Sequence, residues 1–305
     1  MVKDIFIFIL NHIRDFLSSK KGKGFLAVVA SLGALFSGVG IKKGYKAKKQ
    51  NKKAIAIKNE AIEKHDKSLN ETEEVLQQLG KTKADAILTF KQFSNCIEKI
   101  QERPEFFESK KTKVDLNKIN LEDLKTISND LEMALKGAGG AVAGICMGLA
   151  IAINPLTIIA SGFLFSGIVL CVDGTKLSKK AADNMKQAKE IEKRVEKIIK
   201  YYDKLSSESE KLEKAIFNLT EEFRTAIDRL ELLVNEKSNW STYTYREKKF
   251  VETVVLVCEA LYKLCNVSLK ENEEDSMSVN SDTIKDSIKE SEKAIKTMQR
   301  KSLAS

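Results

Sequence analysis

The chain has 305 residues, with 52 Lys and Arg against 43 Asp and Glu, a net charge of +9, and only 2 Pro, 2 His and 5 Cys. Long helices have this makeup of Lys, Glu, Leu, Ile and Ala with almost no proline; ordinary globular domains do not. The odd cysteine count, without any Cys-x-x-Cys, argues against a disulfide framework and for free thiols. Lys outnumbers Arg and is spread along helices, which favours an anionic lipid surface over base readout and argues against a nucleic-acid partner.

Residues 1–23 read as an amphipathic interfacial helix, with Ile5, Ile9, His12, Ile13 and Phe16 on one side. The apolar run at the start is too short, and too soon interrupted by His12, Arg14 and Asp15, for a secretory signal. Residues 24–41 carry no charge over 18 residues, the minimum for a membrane span. Ala30, Ala34 and Gly38 give that helix a face of small residues. A basic collar comes next: Lys42, Lys43, Lys46, Lys48, Lys49, Lys52 and Lys53, with no acid among them. Each lysine near an anionic leaflet contributes roughly 1 kcal/mol. The collar predicts contact with the membrane surface and a cytoplasmic location for the arm attached to it.

Residues 42–104 form this collar and a first coiled-coil arm. Its expected seam runs through Ile55, Lys58, Ile62, His65, Leu69, Thr72, Leu76, Leu79, Lys83, Ala86, Phe90, Phe93, Ile97 and Ile100, in alternating steps of three and four. Arg103-Pro104 ends the helix. A polar linker and a short amphipathic helix occupy 105–136. Residues 137–172 are uncharged throughout and are divided by Asn154-Pro155. They read as an apolar helical hairpin whose Gly140, Gly144 and Gly148 repeat every four residues, with Gly162 in the second half, so that helices approach closely in lipid. Each half, of about 17 residues, is roughly 25 Å long as helix, a marginal fit to a bilayer core of about 30 Å.

A second arm covers 173–238, with a seam from Ala188 through Ile191, Val195, Ile198, Tyr202, Leu205, Ser209, Leu212, Ile216, Leu219, Phe223, Ala226 and Leu230 to Leu233. Both arms come directly after an apolar segment and their seams are equally long, which predicts parallel pairing, within one chain or between copies. Residues 239–269 predict a return helix after a break at Asn239-Trp240-Ser241. Residues 270–305 read as a disordered polar tail with a short helix near 283–298. The fold class expected is therefore all-α: long coiled-coil helices flanking a Gly-rich apolar helical hairpin, plus an N-terminal membrane helix.

No constellation supports catalysis, and neither a cofactor nor a metal is expected. Gly80-Lys81-Thr82 imitates the end of a phosphate-binding loop, but Val75 stands where that motif needs Gly, and Leu76 and Leu79 belong to a helical seam. His12 and His65 lack a second ligand at zinc-binding spacing. Trp240, Tyr243 and Tyr245 fall far from the expected membrane face, so a packing or partner role suits them better than an interfacial belt.

The stretch from Gly140, Gly144 and Gly148 through Ile153-Asn154-Pro155-Leu156 to Leu177-Ser178-Lys179-Lys180-Ala181, set between two helical arms, resembles two groups. These are the apolipoprotein L proteins and the α-helical pore-forming toxins of the haemolysin BL and cytolysin A type. With the closing helix Tyr245 to Leu264, the layout is also similar to that of uncharacterised bacterial coiled-coil membrane proteins. The resemblance spans roughly 50–265 and is one of architecture. It implies a hairpin that inserts and assembles in membranes. Gly24–Ile41 and its lysines depart from the secreted toxins and point to a resident membrane protein. The expectation is thus a non-enzymatic, multi-pass protein at an anionic cell membrane, with its arms in the cytoplasm and self-associating through the coil. The alternative is a toxin-like or pore-forming effector, soluble until triggered to insert.

Overall fold

The computed structural model describes residues 45–103, 121–137, 177–269 and 278–302. The expected spans at 24–41 and 137–172 lie outside it, apart from Gly137. Among the described residues the regular structure is all-helical, and no helix is long and apolar enough to cross a membrane. The helices are α1 (Tyr45–Glu98), α2 (Leu121–Gly137), α3 (Leu177–Glu236), α4 (Tyr245–Cys265) and α5 (Ser281–Ser302).

Helices α1 and α3 lie side by side and run parallel within one chain. Asn51 meets Asn184 at 3.2 Å, Thr72 meets Ser206 at 3.1 Å, Thr82 meets Glu213 at 2.8 Å and Lys99 meets Asn235 at 3.2 Å, a register held from end to end. On α3 the expected seam from Ala188 to Leu230 is buried, with Val234 taking the last place from the half-buried Leu233. On α1 the outer half differs from the expected seam. Ala54, Ala61 and Ser68 are buried, whereas Ile55 is 45% exposed and Ile62 and Leu69 are half-buried. Small residues let the helix backbones approach, so they take the contact line and push the larger neighbours to its flank.

The molecule has two parts. Among the described residues its outer half is a two-helix stalk, where the apolar core shrinks to Ala61, Ile191 and Val195 with Ile199 beside them. Lys58, His65, Ser68 and Thr72 share that seam, and the His65 ring packs against Tyr202 at 5.8 Å. The inner half is a helical head, in which α2, α4 and α5 cover the pair and one continuous core joins Leu79, Phe90, Phe93, Leu212, Phe223, Val254 and Leu261. Phe93 and Phe223 lie 5.4 Å apart, with Phe90 6.3 Å from Phe223 and 6.2 Å from Tyr262.

The head is closed at its tip by local hydrogen bonding. The Gln101 amide donates to Ser238 O at 2.7 Å and Trp240 N donates to Gln101 O at 3.0 Å, tying the ends of α1 and α3 together. Glu102 adopts φ 52°, in the left-handed region, as the chain leaves α1. The Asn239 side chain accepts from Ser241 N and caps a 3-10 turn over Trp240–Thr242. Thr244 and Glu247 then form a reciprocal capping box that starts α4. Trp240 packs on Tyr243, 5.4 Å between ring centroids, beneath Lys248. It is a packing residue of the tip.

The tail departs from expectation more clearly. Residues 281–302 form α5, a longer helix than the short one expected near 283–298. Ile284, Ser291 and Met298 are buried at seven-residue spacing, with Ile288 and Ile295 packed beside them. In a Ser-, Lys- and Glu-rich background this narrow stripe reads as disorder until a groove is present to receive it.

The basic end of the stalk

Two stretches 130 residues apart in sequence meet at the outer end of the stalk. Helix α1 begins with Lys46, Lys48, Lys49, Lys52 and Lys53, and α3 with Lys179, Lys180, Lys186 and Lys189. Asp183 is the single acid among them. The contact of Asn184 with Asn51 sets the two runs level. Lys52, Lys53, Lys186 and Lys189 are exposed. Like charges crowded at one end repel unless an anionic surface is present to neutralise them.

Lys42 and Lys43, together with Gly140, Gly144, Gly148, Asn154, Pro155 and Gly162, lie outside the described residues. The collar residues within them, Lys46 to Lys53, occupy the first turns of α1. Sequence reading missed the contribution of α3. Its lysines are interspersed with Asp183 and Glu190 and look like an ordinary solvated face until the parallel register sets them against α1.

The head holds two ionisable groups in unusual settings. Lys83, at 1% exposure, has its Nζ buried without a hydrogen-bond partner beside Cys265 of α4, and burial lowers its pKa to about 8. Both carboxylate oxygens of Glu259 are likewise buried and unpartnered, and burial raises its pKa to about 7 against a partial offset from Lys263. The two sit on different helices with no shared partner. Neither has the nucleophile-and-base geometry that chemistry requires. Gly80-Lys81-Thr82 lies inside α1, and Thr82 Oγ1 donates across to Glu213 of α3. That hydroxyl serves helix packing.

The three cysteines within the described residues, Cys96, Cys258 and Cys265, are free and buried. Burial pushes the Cys96 thiol up to about 11 and the Cys265 thiol up to about 12, away from the reactive thiolate.

Compared with known proteins, the chain matches no family model, no curated protein and no solved structure.

Proposed function

We propose that this is a non-enzymatic protein of an anionic membrane, with the two apolar stretches entering lipid at the basic end of the stalk and the helical head held away from it. The observation that carries this reading is the convergence at one end of two lysine runs, each directly after an apolar stretch. Helices α1 and α3 then act as a coiled-coil arm. Because their seams meet each other within the chain, association of copies through that coil competes with the intrachain pairing. The glycine repeat at 140, 144 and 148 is the better surface for self-association in lipid.

A second reading, insertion of 137–172 on a trigger in the manner of a pore-forming effector, is favoured by one feature. Helix α2 leads into that stretch, yet it is docked high on the head and points only partway down the stalk. Carbonate extraction of the expressed full chain, with thiol accessibility read at Cys146 and Cys171, separates the two. Retention with both thiols protected supports residence at rest. Release, with protection gained only after vesicles are added, supports triggered insertion. A chain indifferent to lipid in every form removes both readings.

A further inference from the structure

Helix α2 runs antiparallel to α1. Ser94 Oγ donates to Leu121 O at 3.4 Å, and Ser128 Oγ donates to Leu88 O at 3.3 Å. Nine residues further on, about 13 Å at 1.5 Å per residue, Gly137 ends level with α1 near residue 79. Leu177, where α3 begins, lies level with the very start of α1, because Asn184 meets Asn51. The two ends of the segment 138–176 are therefore about 50 Å apart along the stalk.

An inserted helical hairpin needs its ends on one side of the bilayer, about 10 Å apart at normal helix spacing. Two helices of about 17 residues use all but five of the 39 residues from 138 to 176, and five extended residues span at most about 18 Å. With α2 docked, both halves of the apolar stretch cannot cross from the stalk end. With α2 released, they can. The 17 residues 104–120 reach about 58 Å extended, and α2 adds about 25 Å, which matches the roughly 85 Å from Arg103 to the start of α1.

The interface of α2 is small enough for release. Leu124, Ser128 and Leu131 are buried, Leu121, Ile127 and Leu135 pack only partly buried against the core, a serine stands at the centre of the contact, and Met133 is 67% exposed. Its charged contacts to α1, Lys91 with Glu132 and Lys125 with Glu98, both at 2.8 Å, are open to solvent and therefore weak and screened by salt.

We propose that α2 is a latch: docked on α1 it keeps the 137–172 stretch from entering a bilayer as a hairpin, and its departure supplies the reach for insertion. The proposal rests on the second reading above, triggered insertion; residence of 137–172 in lipid at rest would need α2 already undocked. The test uses full-length protein carrying Lys91→Cys and Glu132→Cys, with Cys146→Ser and Cys171→Ser to silence the apolar thiols. The introduced pair is bridged by a short, reductively cleavable bis-maleimide. Vesicles of phosphatidylcholine and phosphatidylserine loaded with dye report leakage, and flotation reports binding.

The bridged protein is expected to leak at least tenfold less dye than its unbridged form, with full recovery on reduction. Glu132→Lys, which sets like charges against Lys91 and Lys136, is expected to increase leakage. Equal leakage by bridged and unbridged protein overturns the latch while leaving the membrane reading standing. Vesicles ignored by the wild type and by Glu132→Lys alike overturn the membrane reading and the latch with it.

Discussion

The Asn184 side-chain amide donates to the Asn51 side-chain oxygen at 3.2 Å, and this one contact joins the beginnings of the two longest helices. A hydrogen-bonded polar pair between two helices favours one register, because any slip leaves both amides without each other. Here the register brings the α1 and α3 lysines to the same end. Cysteines at 51 and 184, joined by a short bis-thiol reagent in dilute protein, are expected to give an internally bridged monomer on a denaturing gel. Covalent dimers as the main product would show that the arms pair between copies instead.

If both lysine runs face one anionic surface, charge reversal on α3 should weaken vesicle binding as much as charge reversal on α1. Lys186→Glu with Lys189→Glu is compared with Lys52→Glu with Lys53→Glu. At roughly 1 kcal/mol per lysine, each double variant is expected to lose at least tenfold in partitioning onto phosphatidylserine vesicles, and the loss should fade in high salt. An effect confined to the α1 pair would restrict the collar to the residues that sequence alone marks out.

Much of the architecture was legible in the sequence, for an identifiable reason. The steps of three and four from Ala188 to Leu230 report a buried line directly, since every position on it is apolar or small and points at a neighbour. The same rule fails where size misleads, at Ile55, Ile62 and Leu69, because a tight two-helix contact prefers Ala54, Ala61 and Ser68. Helix α5 was hard to read because its stripe is narrow and its stability comes from the groove it fills. The basic end was half-legible, because α3 supplies its share only through a register that no local pattern encodes.

Lys83 marks a core position where charge opposes folding. Its folded pKa of about 8 lies below the unfolded 10.5, so below pH 8 the chain bears the full cost of a buried, unpartnered ammonium. As pH rises from 8 through 10.5 the unfolded chain releases its proton too, and the cost disappears. Two and a half pH units correspond to about 3 kcal/mol. Lys83→Met is therefore expected to raise the unfolding free energy by about 3 kcal/mol at pH 7 and to make little difference near pH 11, as read by denaturant titration at both values. Destabilisation by this variant at pH 7 would mean that the ammonium has a partner in solution.

Glu259 carries the opposite sign. Its folded pKa, about 7, lies above the unfolded 4.5, so the penalty for its buried charge is absent below pH 4.5, grows as pH rises to 7, and is complete above that. Acidification from pH 8 to pH 5 should thus tighten the head through this group, and Glu259→Gln should abolish that part of the response. The Glu132 carboxylate, held down to about 2 by Lys136 and Lys91, stays charged throughout the same range. Mild acid therefore leaves the Lys91–Glu132 pair charged while it stabilises the head through Glu259. Melting temperatures across pH 5 to 8, for wild type and Glu259→Gln, decide the point: a wild type that loses stability as pH falls to 5 would reverse this assignment.

Thiol chemistry offers a direct check on the head. Cys96, Cys258 and Cys265 are buried, and burial raises all three thiols. In native protein at pH 8 a maleimide should modify none of them within minutes, and all three in denaturant. Cys96 lies on the side of α1 that faces α3, beside Asp228 and Glu231, whereas Ser94 two residues earlier faces α2 and bonds to Leu121 O. If α2 alone leaves α1 on meeting vesicles, all three thiols should stay protected, because the α1–α3 contact that covers Cys96 and the core that covers Cys258 and Cys265 stay in place. Joint exposure of all three would mean that the whole head unfolds at the membrane and that α2 does not move on its own.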